Sequence, residues 1–168
     1  MRLSLKAWRF PLIMKTRLAV VLSLCGAFVL SAQNATDLYT SAKLKQLTEK
    51  LAAQSKKSGG AFAGETLNKY GNHLTMLAHR ESNGSAELHM KDADYLYIID
   101  GDVTIITGGK MVAGKKTEAN EIRGTSIQDG QSQKLGIGDI IHIQPNTPHQ
   151  MMLAPGHTVT YFVVKVTQ

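Results

Sequence analysis

The chain has 168 residues, 43% of them hydrophobic and 19% charged, with one cysteine, a composition that excludes disorder, collagen and a disulfide-stapled scaffold. That length holds one domain with a real core. The formal net charge of +6, from 19 basic and 13 acidic residues, would fit a nucleic-acid or membrane-surface protein were the charges spread over the domain.

They are not. Arg2, Lys6, Arg9, Lys15 and Arg17 precede an apolar run from Leu18 to Leu30, and the small residues Ser31 and Ala32 follow it. That order predicts a secretory signal peptide over residues 1–32, with Met14 as an alternative start that gives a more compact leader. The apolar run falls short of the roughly 20 residues a membrane helix needs, and polar Gln33, Asn34 and Asp37 follow at once, which makes an uncleaved anchor the weaker alternative. Cys25 lies inside the run, preceded by Leu24 and not by a small residue, as in ordinary signal sequence. Losing the leader removes five basic residues and no acidic ones, leaving 14 against 13. The expected mature protein is therefore exported, periplasmic or secreted, with no nucleic-acid partner and no stable membrane insertion. It has no thiol, so metal chemistry falls to His, Asp and Glu.

Between Asp37 and Lys57 helix formers dominate, with Leu44, Leu47 and Leu51 at helical spacing and Ser58-Gly59-Gly60 as the stop. This predicts one amphipathic helix covering a barrel end or a sheet edge, within an N-terminal stretch and linker over 33–65. From Thr66 to the C-terminus, 66–168, the chain turns to short β-prone runs: HLTMLAHR, AELHM, YLYII, VTIIT, DIIHI and TVTYFVVKV. Asp100-Gly101 and Asp129-Gly130 read as hairpin turns, and Met111 to Gly124 as an irregular excursion that could border a pocket mouth. The sum is an all-β antiparallel sandwich or barrel.

Chemistry concentrates in two segments. In Glu87-Leu88-His89 the two polar side chains share a strand face, and Asp94 follows across a bend at Lys91-Asp92-Ala93. Further on, Gly138-Asp139 opens a strand that ends in Pro145-Asn146-Thr147-Pro148-His149, where Asn146 suits a left-handed turn. If Asp94 points inward, so do Leu96 and Ile98, which leaves Tyr95, Tyr97 and Ile99 on the outer face.

These segments resemble the two conserved motifs of the cupin superfamily. The first motif there reads His-x-His, three or four residues, Glu, six residues, Gly; here Glu87 takes the first histidine slot, His89 the second, Asp94 the glutamate slot and Gly101 the glycine. The second matches from Gly138 to His149. Over Thr66 to Val166 the resemblance implies a cupin-type antiparallel β-barrel, a jelly-roll-like double sheet with one N-terminal helix, and a homodimer as the assembly. It implies metal ligands at Glu87, His89, Asp94 and His149. Both replacements keep an oxygen donor, and a nitrogen and oxygen set without sulfur suits a divalent transition metal: manganese or iron first, nickel or zinc otherwise. The alternative is a cupin that has lost its metal.

His79 and His142 lie on strands whose inward face the pattern leaves open; each is a candidate for proton transfer, for orienting a ligand, or a satisfied wall residue. Two functions remain. One is an enzyme acting on a small oxygenated substrate as dioxygenase, lyase or isomerase; the other is a module that binds a small molecule or a metal without chemistry.

Overall fold

Thr40 caps the helix α1 (Ser41–Lys57), its Oγ1 accepting from the Lys43 N–H at 3.2 Å, so the helix starts four residues later than the composition predicts. The structure, a computed structural model, describes residues 36–59 and 61–168; the expected leader lies outside the described residues. Among them no helix is long and apolar enough to cross a membrane.

Strands follow in chain order as β1 (Phe62–Lys69), β2 (His73–Arg80), β3 (Ala86–His89), β4 (Asp92–Gly101), β5 (Val103–Thr107), β6 (Lys110–Val112) and β7 (Lys115–Glu118). Then come β8 (Glu121–Gly124), β9 (Ser126–Gln128), β10 (Gln131–Leu135), β11 (Ile140–Ile143), β12 (His149–Met152) and β13 (Val159–Thr167). One sheet runs β1-β2-β13-β4-β11 and a second β10-β5-β12-β3-β8-β7, with β6 and β9 as a separate pair. The inner faces of the two large sheets share one core: Ala78, Leu96, Ile98, Val159, Tyr161 and Val163 from the first meet Val103, Ile105, Leu135 and Met151 from the second. Fully buried side chains such as Ile98 and Ile105 contribute about 1.5–3 kcal/mol each. The all-β double-sheet expectation holds.

Alternation along β4 is as read from the sequence. Asp94, Leu96 and Ile98 are buried, whereas Tyr95 and Tyr97 are each 42% exposed. The helix lies on the outer face of the first sheet, not at an edge or an end: Leu47 and Leu51 pack on Leu77, with Ile99 and Phe162 beside them. Two further expectations need correcting. Neither Asp-Gly pair closes a hairpin. β4 and β5 belong to different sheets, so Asp100-Gly101 is the corner between them, and a Cβ on Gly101 (φ +76°) would meet Thr158 O at 1.9 Å. Asp129-Gly130 bends the chain from β9, which pairs with β6, to β10, which pairs with β5. The segment expected to be irregular, 111–124, instead supplies the short strands β7 and β8, and β8 pairs with β3.

Candidate metal centre

Strand register assembles the site. β12 pairs with β3 so that His149 stands opposite Glu87, and β8 pairs with β3 so that Glu121 stands opposite His89 and Arg123 opposite Glu87. β13 pairs with β4 so that Lys165 stands opposite Asp94. Side chains directly opposite one another share a face, which brings two sheets' worth of polar groups into one place. The turn before β12 is fixed by Asn146 in the left-handed region (φ +62°), whose N–H donates to His89 O at 2.8 Å. That bond ties the second sequence segment to the first.

Donor atoms of Glu87, His89 and His149 lie within 4.8 Å of one another. Asp94 joins them, its Oδ2 standing 3.3 Å from His89 Nε2 and 3.7 Å from His149 Nε2, while Glu87 Oε2 is 3.7 Å from His89 Nε2. Two ligands at right angles, each about 2.1 Å from a common ion, stand about 3 Å apart, so the spacing fits a small divalent cation with slight contraction. Glu87, His89 and His149 form the mutually close cluster, and Asp94 stands beside both imidazoles.

Each group is oriented by its far side. His149 Nδ1 donates to Thr147 O at 3.0 Å, which leaves Nε2 as the lone-pair nitrogen. His89 Nδ1 faces Glu121 Oε2 at 3.4 Å, the same arrangement with a carboxylate. Glu87 gives Oε1 to Arg123 at 2.7 Å and Asp94 gives Oδ1 to Lys165 at 2.7 Å, so each carboxylate turns its second oxygen to the centre. The Asp94 and Lys165 atoms form an ion pair whose angles fall short of a hydrogen bond, and neither has another partner. Arg123 Nε also pairs with Glu121 Oε1, closing a chain from Glu87 through Arg123 and Glu121 to His89.

Burial pushes the Asp94 carboxyl up, but the His89 hydrogen bond and the Lys165 charge outweigh it and hold the carboxyl below its ordinary range. Burial pushes His149 down, so its imidazole is neutral at pH 7, the form that binds metals. Burial also disfavours the Glu121 carboxylate, yet its Arg123 partner outweighs this and keeps it ionised. The site opens on a cavity of about 400 Å³, walled by Met76, Leu96, Met151 and Val163 and carrying Arg80 and Tyr161 as well. A donor set exposed to a cavity of that size leaves room for a small ligand at the ion.

The two remaining histidines lie elsewhere. His142 is on the outer face of β11, exposed and stacked on Tyr95 with ring centroids 4.2 Å apart. His79 is buried on the helix-covered side of β2, where Thr160 Oγ1 at 2.9 Å and Glu81 Oε1 at 3.3 Å satisfy its ring. It is a wall residue. Glu121, Arg123 and Lys165 were not singled out in the sequence. For Lys165 a signal existed, since it continues the inward alternation of Val159, Tyr161 and Val163. For Glu121 and Arg123 none did, because β8 is four half-buried residues without alternation.

No protein-family model and no curated protein matches the sequence. Solved structures do resemble it in fold. An uncharacterized conserved protein with a double-stranded β-helix domain from Klebsiella pneumoniae is 13% identical over 79% of this chain and 90% of its own, with a TM-score of 0.53. The cupin domain of Cnp3 from Schizosaccharomyces pombe is 5% identical over 64% of this chain and 65% of its own, at 0.49. The polyketide cyclase RemF from Streptomyces resistomycificus is 15% identical over 65% and 68%, at 0.46.

Proposed function

From a single-domain cupin fold, a double-stranded β-helix, we propose a metal-binding protein that acts on a small oxygenated organic molecule. The observation that carries this reading is the cluster of Glu87, His89 and His149 at the cavity, with Asp94 Oδ2 3.3 Å from His89 Nε2 and 3.7 Å from His149 Nε2. Manganese or iron suits the donor set best, nickel or zinc being the alternatives. A bound ion would supply Lewis-acid polarisation of a substrate oxygen, or dioxygen activation if it is iron. Four protein ligands leave an octahedral ion two positions, which favours an enzyme over a metal store.

The chain's own groups have distinct tasks in this reading. Arg123 and Lys165 orient the two carboxylates, while Glu121 and Thr147 O orient the two imidazoles. Met76, Leu96, Met151 and Val163 exclude water from an apolar substrate body. His79 and His142 lie outside the cavity, and the buried Lys165 ammonium is held by Asp94, so none of these three groups is placed to pass a proton to a bound substrate. Metal Lewis-acid chemistry of the lyase or isomerase type fits this donor set, as does a dioxygenase reaction. Export of the mature domain is part of the proposal, supported by the leader's residue order, and so is a homodimer, supported by the exposed Tyr95, Tyr97 and Ile140 on neighbouring strands.

Water-proton relaxation of the manganese-loaded protein tests the open site. An enzyme-type centre enhances relaxation through bound water and loses the enhancement when a small chelating acid enters. A centre without exchangeable water supports the non-catalytic module instead.

A further inference from the structure

Arg80 ends β2 on its inward face, following Met76 and Ala78 at alternate positions, and lines the cavity. The cavity's other cations are committed, Arg123 to Glu87 and Glu121, Lys165 to Asp94. Among the described residues no carboxylate pairs with Arg80, and its buried Nε has no hydrogen-bond partner. Its contacts include the Phe62 ring, 4.8 Å from Cζ to centroid, and the buried Tyr161 phenol. The placement is built in. A Cβ on Gly64 would meet the Phe62 ring at 2.9 Å, and one on Gly84 would meet Arg80 Nη1 at 3.1 Å, so two glycines make room for the ring and the guanidinium. A half-buried guanidinium with its Nε out of water and no carboxylate partner gains from an incoming anion.

We propose that Arg80 is the anion anchor of this cavity and that the ligand is a small organic carboxylate with an apolar body. One uncompensated cation matches one carboxylate, and the walls of Met76, Leu96, Met151 and Val163 match an aliphatic or aromatic remainder. The volume of about 400 Å³ limits that remainder to a small molecule. This deepens the function proposed above and rests on its reading of the cavity as the ligand site, but the contact to Arg80 does not require a bound ion.

Calorimetric titration of the full protein, with and without manganese, tests it with phenylpyruvate and 4-methyl-2-oxopentanoate against their methyl esters and against phenyl phosphate. The acids bind, and the esters and phenyl phosphate bind more weakly, by about tenfold or more for the esters. Arg80→Gln removes the preference for acid over ester and leaves metal content unchanged, while Arg80→Lys keeps part of it. Equal binding of acid and ester by the parent protein overturns the assignment, as does a preference for phenyl phosphate, unaltered acid binding by Arg80→Gln, or no binding of either acid at millimolar concentration. The two readings fail separately: discrimination in a protein that takes up no metal defeats the metal centre alone. No discrimination in a fully loaded protein defeats the Arg80 assignment alone.

Discussion

Replacing Lys165 with Met separates the role of this ammonium in the metal-free protein from its role in the loaded one. Lys165 Nζ stands 2.7 Å from Asp94 Oδ1, and the Asp94 side chain is only 7% exposed, so the variant leaves a buried carboxylate without its counter-charge. Breaking such a pair costs about 3 kcal/mol, the low end of the range because Lys165 keeps 20% exposure. For a domain of this size that lowers the melting temperature by on the order of 10 °C. In the loaded protein the ion neutralises Asp94, and the cost falls to about 1 kcal/mol, that of an ordinary lost polar contact. The thermodynamic cycle then requires manganese to bind the variant more tightly by about 2 kcal/mol, about 30-fold. Thermal melts with and without manganese, together with a direct titration of the ion, measure all four sides. Equal destabilisation in both states, or weaker manganese binding by the variant, would refute the reasoning.

Three other outcomes follow from the same geometry. Glu121→Gln weakens the carboxylate that orients His89 at 3.4 Å and lowers manganese affinity by about tenfold, read by competition with a metal indicator. Asn146→Val places a β-branched residue at φ +62° and destabilises by about 1–2 kcal/mol in urea unfolding, whereas Asn146→Gly is close to neutral. Burial raises the Tyr161 phenol above its ordinary value of 10.0, so the native state holds this proton to higher pH than the unfolded chain does. Its contribution is present below pH 10.0 and is lost as pH rises through the folded value; Tyr161→Phe therefore flattens the alkaline fall in stability, followed by unfolding at a series of pH values.

Much of the barrel is legible in the sequence because strand alternation has a period of two and β4 obeys it from Asp94 to Ile98. The same rule applied to β2 and β13 would have pointed Arg80 and Lys165 inward, since each continues a run of alternate inward residues. It fails for β11, where Ile140, Ile141 and Ile143 surround His142 and nothing in the pattern tells one face from the other. Pairing is the other blind spot. Asp100-Gly101 has the composition of a hairpin turn, but the close approach of Thr158 makes it a corner between sheets, a contact 57 residues away in the chain. Glu121 and Arg123 reach the site only through the register of β8 against β3, which the polar stretch around them does not encode locally. Metal-ligand candidates were readable because their spacing along the chain is itself the family pattern; the groups that orient them depend on which strands become neighbours.

The central claim is one divalent ion held by Glu87, His89, Asp94 and His149, and elemental mass spectrometry of protein purified without chelator or affinity nickel tests it most directly, beside a His89→Ala, His149→Ala double variant. The account predicts about one transition-metal ion per chain in the parent protein, or uptake of one on adding manganese or iron, and none in the double variant. A parent protein that carries no metal and takes up none of manganese, iron, nickel or zinc would contradict it.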